Sequence, residues 1–328
     1  MIKLYFTVNI LGDSMKIGFI GLGNVGGKLA GSLLRNGIDL TVFDIDDLIV
    51  NKFTNLGASK AINPKKLTES VDCIITCLPS PSICAQVVES QDGILNGITS
   101  NKIWIEMSTT NEKEVLRLGE LITKKNAYTL DCPVSGGCHR ADTGNISIFA
   151  GGDYQIFQSI LPILKFMGRR ILYTGRLGSA SILKVMTNYL ASVNLVSIGE
   201  ALTVCKLAGM DMKTTYEAIK ISSGNSFVNE TETQVILNGS YDVNFTMELV
   251  LKDIGIFNDL ANNFKAPLEI SPLLIKVFND GKEKYGPEAW STMIVKRLED
   301  ACNINFRAGG FPSQLKDDEP EEEGYEIK

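Results

Sequence analysis

Three glycines constrain how this chain can begin. They stand in the run Gly21-Leu22-Gly23-Asn24-Val25-Gly26, directly after the apolar segment Lys16–Ile20 and ahead of a segment, Val25 to Asn36, that stops at Gly37 as helices often do. Strand, glycine turn and helix in that order open a βαβ unit. The first glycine permits a tight turn, the second lets phosphates approach the backbone, and the third lets the helix pack closely on the strand. An anion held there meets the helix N-terminus. A glycine-rich turn with no ligand is the plain alternative. Asp44 tilts the choice, because it ends the next apolar run, Leu40–Phe43, 18 residues past Gly26, where a carboxylate accepts from a ribose hydroxyl.

Asp44 also bears on which dinucleotide is bound. A carboxylate accepts from the 2′-hydroxyl of NAD and repels the 2′-phosphate of NADP. Asp46 and Asp47 add to that repulsion, no Arg follows, and Lys52 is the first base downstream. NAD is the expected cofactor.

From Met15 to about Gly175 short β-branched runs alternate with helical segments, the pattern of a parallel sheet with crossover helices. The expected strands are Lys16–Ile20, Leu40–Phe43, Cys73–Leu78, Ile103–Glu106, Tyr128–Asp131, Ile146–Ala150 and Ile171–Tyr173. Their near-continuous apolar character implies a sheet covered on both faces. After Gly178 strand-like runs cease and apolar residues recur at helical spacing. A helix from Ser181 to about Leu207 is apolar around much of its circumference, and another over Thr246–Asn263 carries the stripe Val250, Ile254, Phe257 and Ala261. The last stretch, Gly309–Lys328, with Gly-Gly, two prolines and the acids Asp317 to Glu323, is too polar to bury a core and is expected to be a disordered tail.

At 328 residues with 44% hydrophobic and 21% charged, the chain suffices for two cores. A net charge of −6 provides no basic field to draw it onto nucleic acid or anionic lipid, so a small molecule is the expected partner. No uninterrupted apolar stretch approaches the roughly 20 residues of a membrane span. Seven cysteines without C-x-x-C spacing fit buried, reduced thiols in a cytoplasmic protein and no metal site. Residues 1–14 precede the patterned sequence as an extension without a convincing targeting signal.

Nicotinamide chemistry also needs a general acid or base at the substrate oxygen. The sole histidine, His139, sits in a loop-like stretch, where solvated surface is the ordinary role. Lys184 is the better candidate, since it lies four residues before Asn188 and shares a helix face with it. A lysine acts as base only when neutral, and burial beside a positive nicotinamide would lower its pKa toward working pH. A snorkelling surface lysine is the competing interpretation. The run Asp131-Cys132-Pro133-Val134-Ser135-Gly136-Gly137 ends a strand, and Ser135 with the amides of Gly136 and Gly137 could hold a carboxylate, or form an ordinary Pro/Gly turn.

Together, Gly21–Gly26, Asp131–Gly137, Gly175-x-x-Gly178 with Lys184 and Asn188, and Lys252-Asp253 resemble the β-hydroxyacid dehydrogenase family, of the 3-hydroxyisobutyrate dehydrogenase kind, over about Met15 to Cys302. The resemblance implies a Rossmann doubly wound parallel sheet, residues 15–178, followed by an all-α substrate and dimerisation domain, residues 179–308, in a homodimer or homotetramer. It implies Lys184 as acid–base residue in NAD-dependent oxidation of a small 3-hydroxy acid or the reverse reduction. Ser135, Gly136, Gly137 and Asn188 would bind substrate; Leu78, Pro79, Thr109 and Lys252 would line the cofactor beside Gly21, Leu22, Gly23, Asn24, Val25, Gly26 and Asp44; Asp253 would be a supporting neighbour. Two departures stand out: Ala180 replaces a family glycine, and Cys138-His139-Arg140, just past the Ser-Gly-Gly turn, points to no particular substrate.

Two rivals share this fold. A 6-phosphogluconate dehydrogenase-like enzyme would carry histidine where this chain has Thr187, and would need a longer helical domain. A non-catalytic dinucleotide-binding scaffold would have no use for Lys184.

Overall fold

The computed structural model describes residues 15–328, so the expected extension 1–14 lies outside the described residues. The chain divides into two compact units. The first runs to Lys184 and takes up Asp318–Lys328; the second is Val185–Asp317. The division therefore falls within the long helix Ser179–Leu207, past the Gly178 boundary expected from the sequence.

The first unit is built on strands β1 (Ile17–Ile20), β2 (Leu40–Phe43), β3 (Ser59–Lys60), β4 (Cys73–Thr76), β5 (Ile103–Glu106), β6 (Tyr128–Asp131), β7 (Val134–Ser135), β8 (Ser147–Gly152), β9 (Arg170–Gly175) and β10 (Tyr325–Ile327). Their order is β10-β9-β8-β6-β5-β4-β1-β2-β3, with β7 paired to β8. The stretch β3-β2-β1-β4-β5-β6 is parallel throughout and has the doubly wound order. Beyond it the sheet departs from the expected parallel pattern, because β8 runs antiparallel to β6. The chain from Asp131 to Ser147 returns through β7 and the short helix Cys138–Asp142, without the long crossover that a parallel neighbour requires.

β1, β4 and β5 are buried along their whole length. Alternate residues serve opposite cores. Ile17, Phe19, Cys73, Ile75, Ile103 and Ile105 join Leu29 and Leu33 of the helix Gly26–Arg35 and Phe157, Ile160 and Leu164 of the helix Tyr154–Met167. Ile20, Ile74 and Trp104 join Leu67, Val88, Leu118 and Ile122 on the other face. Each such side chain contributes roughly 1.5–3 kcal/mol by leaving water.

The second unit is helical, as expected. The helices Met212–Lys220, Phe227–Asn238 and Met247–Asn263 begin at Asp211, Ser226 and Thr246, whose side chains accept from the amides of Thr214, Asn229 and Leu249. Leu195, Ile198 and Leu202 of the long helix meet Val250, Ile254 and Phe278 in its core, and Tyr189 stacks on Phe257 with ring centroids 4.2 Å apart. By length and composition alone the helix Ser179–Leu207 could cross a membrane; Leu195, Ile198 and Leu202 are buried in this packing, while Leu190, Val204 and Leu207 are exposed.

The C-terminal segment corrects the sequence expectation. Instead of a disordered tail over 309–328, Phe311 packs edge-on to Tyr216 in the second unit, and from Asp318 the chain joins the first, ending in β10 parallel to β9. Three of the acids that made the segment look unfoldable meet cations: Glu319 with Arg140 and Arg170, Glu322 with Arg169, Glu323 with Lys165. Gly324 is buried against the Gly168 carbonyl, where any side chain would overlap it.

Candidate active site

Ile20, Thr76, Glu106, Asp131 and Gly151 lie in register across β1, β4, β5, β6 and β8. Just past this row the chain forms the Gly21 turn, the Cys77–Pro79 segment, the Met107–Thr109 segment and the Cys132–Gly137 turn. Four segments singled out in the sequence thus share the carboxyl edge of one sheet, the usual ligand side of doubly wound folds.

The three glycines differ in their surroundings. Gly21 has φ +94°, in the left-handed region, and a side chain there would overlap the Cys77 carbonyl. Gly26 lies so close to the Gly21 carbonyl that no other residue fits. Gly23 has nothing within 4 Å of where a side chain would begin. Its openness leaves room for an approaching ligand, which is the fit a dinucleotide pyrophosphate needs. Leu22 is buried beneath the turn, Asn24 is exposed, and the helix Gly26–Arg35 has no side-chain cap, its Gly27 and Lys28 amides donating instead to the carbonyls of Gly23 at 2.8 Å and Val25 at 3.0 Å. Asp44 ties the turn to the end of β2, accepting from the Leu22 amide at 2.6 Å and the Asp46 amide at 3.0 Å.

Two buried acids went unassigned in the sequence, and each supports a segment named there. Glu106 accepts from the Thr76 hydroxyl at 2.7 Å, the Cys84 thiol at 2.7 Å and the Ser108 amide at 2.6 Å. Ser108 in turn accepts from the Leu78 amide at 2.7 Å, so Glu106 braces both Leu78-Pro79 and Thr109. Burial pushes its carboxyl up. Asp131 accepts from the Gly178 amide at 2.9 Å and from the Ser181 amide and hydroxyl at 2.8 and 3.1 Å. It holds the start of the helix that presents Lys184 one turn later. Burial raises its carboxyl to about 6 against these hydrogen bonds. The signal was present in both cases: a lone acid closing an otherwise apolar strand.

Lys184 is buried, only 8% exposed, which excludes the snorkelling surface lysine. Ser135 and Gly137 follow β6 in the turn, Gly136 and Gly137 at φ +127° and +88°. The His139 ring packs over Gly137, within 3 Å of where a side chain there would begin. It is therefore a neighbour of the turn and not the solvated loop residue expected.

In the second unit Asn188 donates to Asp253 at 2.6 Å, and Lys252 pairs with the same carboxylate at 3.1 Å. Asp253 is 2% exposed and thus orients both residues that the resemblance implicated.

Residues 16–175 match the family described as the NAD binding domain of 6-phosphogluconate dehydrogenase, and residues 178–298 the one described as the NAD-binding of NADP-dependent 3-hydroxyisobutyrate dehydrogenase. Over 298 residues the chain is 30% identical to the 2-(hydroxymethyl)glutarate dehydrogenase of Eubacterium barkeri, spanning 90% of this chain and 99% of that one. Over 269 residues it is 29% identical to the mitochondrial 3-hydroxyisobutyrate dehydrogenase of Mus musculus, 80% of each. The solved 3-hydroxyisobutyrate dehydrogenase of Salmonella typhimurium shares the fold, with TM-score 0.79 at 23% identity over 87% of this chain and 100% of that one.

Proposed function

Because this chain belongs to the β-hydroxyacid dehydrogenase family, whose members act on a CH–OH group with NAD or NADP, we propose that it oxidises a small 3-hydroxy acid with NAD, using Lys184 as general base. One observation carries the assignment of roles: the helix bearing Lys184 is pinned by Asp131 to the same sheet edge that bears the glycine turn and Ser135–Gly137. When bound, the nicotinamide supplies the hydride acceptor.

The remaining work falls to this chain's side chains. Lys184 Nζ, neutral, takes the substrate hydroxyl proton and returns it in the reverse direction. Ser135 and the amides of Gly136 and Gly137 hold the carboxylate. Asn188, oriented by Asp253, offers a polar partner to the substrate hydroxyl, and Lys252, Leu78, Pro79 and Thr109 line the cofactor. NAD is favoured by Asp44, Asp46 and Asp47, which oppose a 2′-phosphate. The substrate is of the 3-hydroxyisobutyrate kind, a short acid with one carboxylate at the turn. Seven free cysteines fit a cytoplasmic setting, and exposed Val204, Leu207 and Met210 fit a homodimer or homotetramer.

The test is reduced-nicotinamide absorbance with a panel of 3-hydroxy acids, with NAD and NADP separately. Lys184→Ala should lower turnover by about 10²–10⁴-fold with NAD affinity nearly intact. A fully active variant overturns the role of Lys184, and dinucleotide binding without reduction by any acid favours the scaffold.

A further inference from the structure

We propose that Glu319 is a positioning residue for the Ser135–Gly137 turn, and that residues 318–328 act as a strap that holds this turn in its binding conformation. The proposal rests on the assignment of that turn to the substrate carboxylate. The strap and the turn belong to one hydrogen-bonded ladder, since Ser135, Ser147, Arg170 and Tyr325 lie in register across β7, β8, β9 and β10.

A turn of two consecutive positive-φ glycines has the greatest freedom to lose, and so depends most on what surrounds it. Arg140 supplies one wall. Its Cδ lies 3.3 Å from where a Gly136 side chain would begin, so its stem rests on the turn. Glu319 fixes Arg140 from the far side: Arg140 Nη2 donates to Oε1 at 2.8 Å. The same carboxylate accepts from Arg170 Nη1 at 3.0 Å and Nη2 at 3.2 Å, which ties Arg140 to β9. The backbone of Glu319 contributes too, its carbonyl accepting from Asn145 Nδ2 at 3.0 Å, while the Asn145 amide donates to the Arg140 carbonyl at 2.8 Å and closes the loop. One residue thus secures both ends of the segment 140–145 that follows the turn. Downstream contacts keep it there. Glu322 meets Arg169, the Glu323 carbonyl accepts from Arg169 Nη1 at 2.9 Å, and the Tyr325 amide donates to the Arg169 carbonyl at 2.9 Å.

The experiment uses the full chain, with Glu319→Gln and, by an independent route, Tyr325→Pro, which removes an edge-strand amide without touching Arg140. Two readouts are taken: amide hydrogen exchange over residues 135–145, and steady-state kinetics with 3-hydroxyisobutyrate at saturating NAD. Both variants should exchange faster over 135–145 and raise KM about tenfold, with kcat within about twofold and NAD affinity unchanged. Unchanged exchange and KM in both variants overturn the proposal. So does a joint loss of kcat, NAD affinity and unfolding midpoint, which marks a general structural role. If the unmodified chain oxidises no hydroxy acid, the substrate assignment fails by itself, and the exchange data alone uphold or overturn the strap.

Discussion

Asp131 and Ser181 are joined twice, Oδ2 of the aspartate accepting from the serine amide at 2.8 Å and from its hydroxyl at 3.1 Å. The other oxygen takes the Gly178 amide at 2.9 Å. A strand end and a helix start are thereby locked together one turn ahead of Lys184. Asp131→Ala should lower kcat about 10- to 100-fold by letting that turn drift, since small misplacements of a reacting group are costly. NAD affinity, measured by titration, should change little.

The same carboxyl makes stability depend on pH in a defined window. Its value is raised in the folded chain to about 6 from 3.8. The protonated form is therefore favoured by folding, and that contribution is complete below 3.8 and lost as the pH climbs through about 6. A shift of that size corresponds to about 3 kcal/mol. Denaturation across this range should show the decline in the natural chain and a flatter profile in Asp131→Asn.

Gly23 and Gly26 should respond oppositely to the same substitution. Gly26→Ala forces a methyl group into the Gly21 carbonyl and should destabilise the fold by about 1–3 kcal/mol. Gly23→Ala meets nothing within 4 Å and should leave the melting temperature intact. Its NAD affinity should nonetheless fall, because the methyl occupies the space the pyrophosphate needs. Thermal melts paired with cofactor titrations distinguish the two.

Asp44→Ala removes both a barrier to the 2′-phosphate and the acceptor of the Leu22 amide. NAD affinity should drop about 10- to 100-fold, the cost of a charge-assisted hydrogen bond. NADP affinity should hold or rise. A preference for NAD that survives undiminished would show that discrimination lies elsewhere.

Asp253 is buried and serves Asn188 and Lys252 at once, so Asp253→Ala strands two polar groups. A loss of about 1–3 kcal/mol is expected, since the two groups left behind are only partly buried. Asp253→Asn keeps the volume and should recover part of it in denaturant titrations.

Short-range pattern made part of this fold legible in the sequence. The glycine turn, the apolar strands β1, β4 and β5, and the capped helices carry their signals within a few residues. β3 has no such signal, being two exposed residues, Ser59 and Lys60, paired along one side. β10 was hidden for a different reason. The acids before it oppose order locally, and the cations that neutralise them, Lys165, Arg169 and Arg170, sit some 150 residues earlier. Asp131 stood in plain view at a strand end, but its partners Gly178 and Ser181 are about 50 residues away.

The first unit is discontinuous, its sheet completed by the last residues of the chain. During synthesis the ribosome must therefore release the entire second unit before β10 can add to β9. Until then the β9 edge stands unpaired on the nascent polypeptide, available to a chaperone or to another emerging copy.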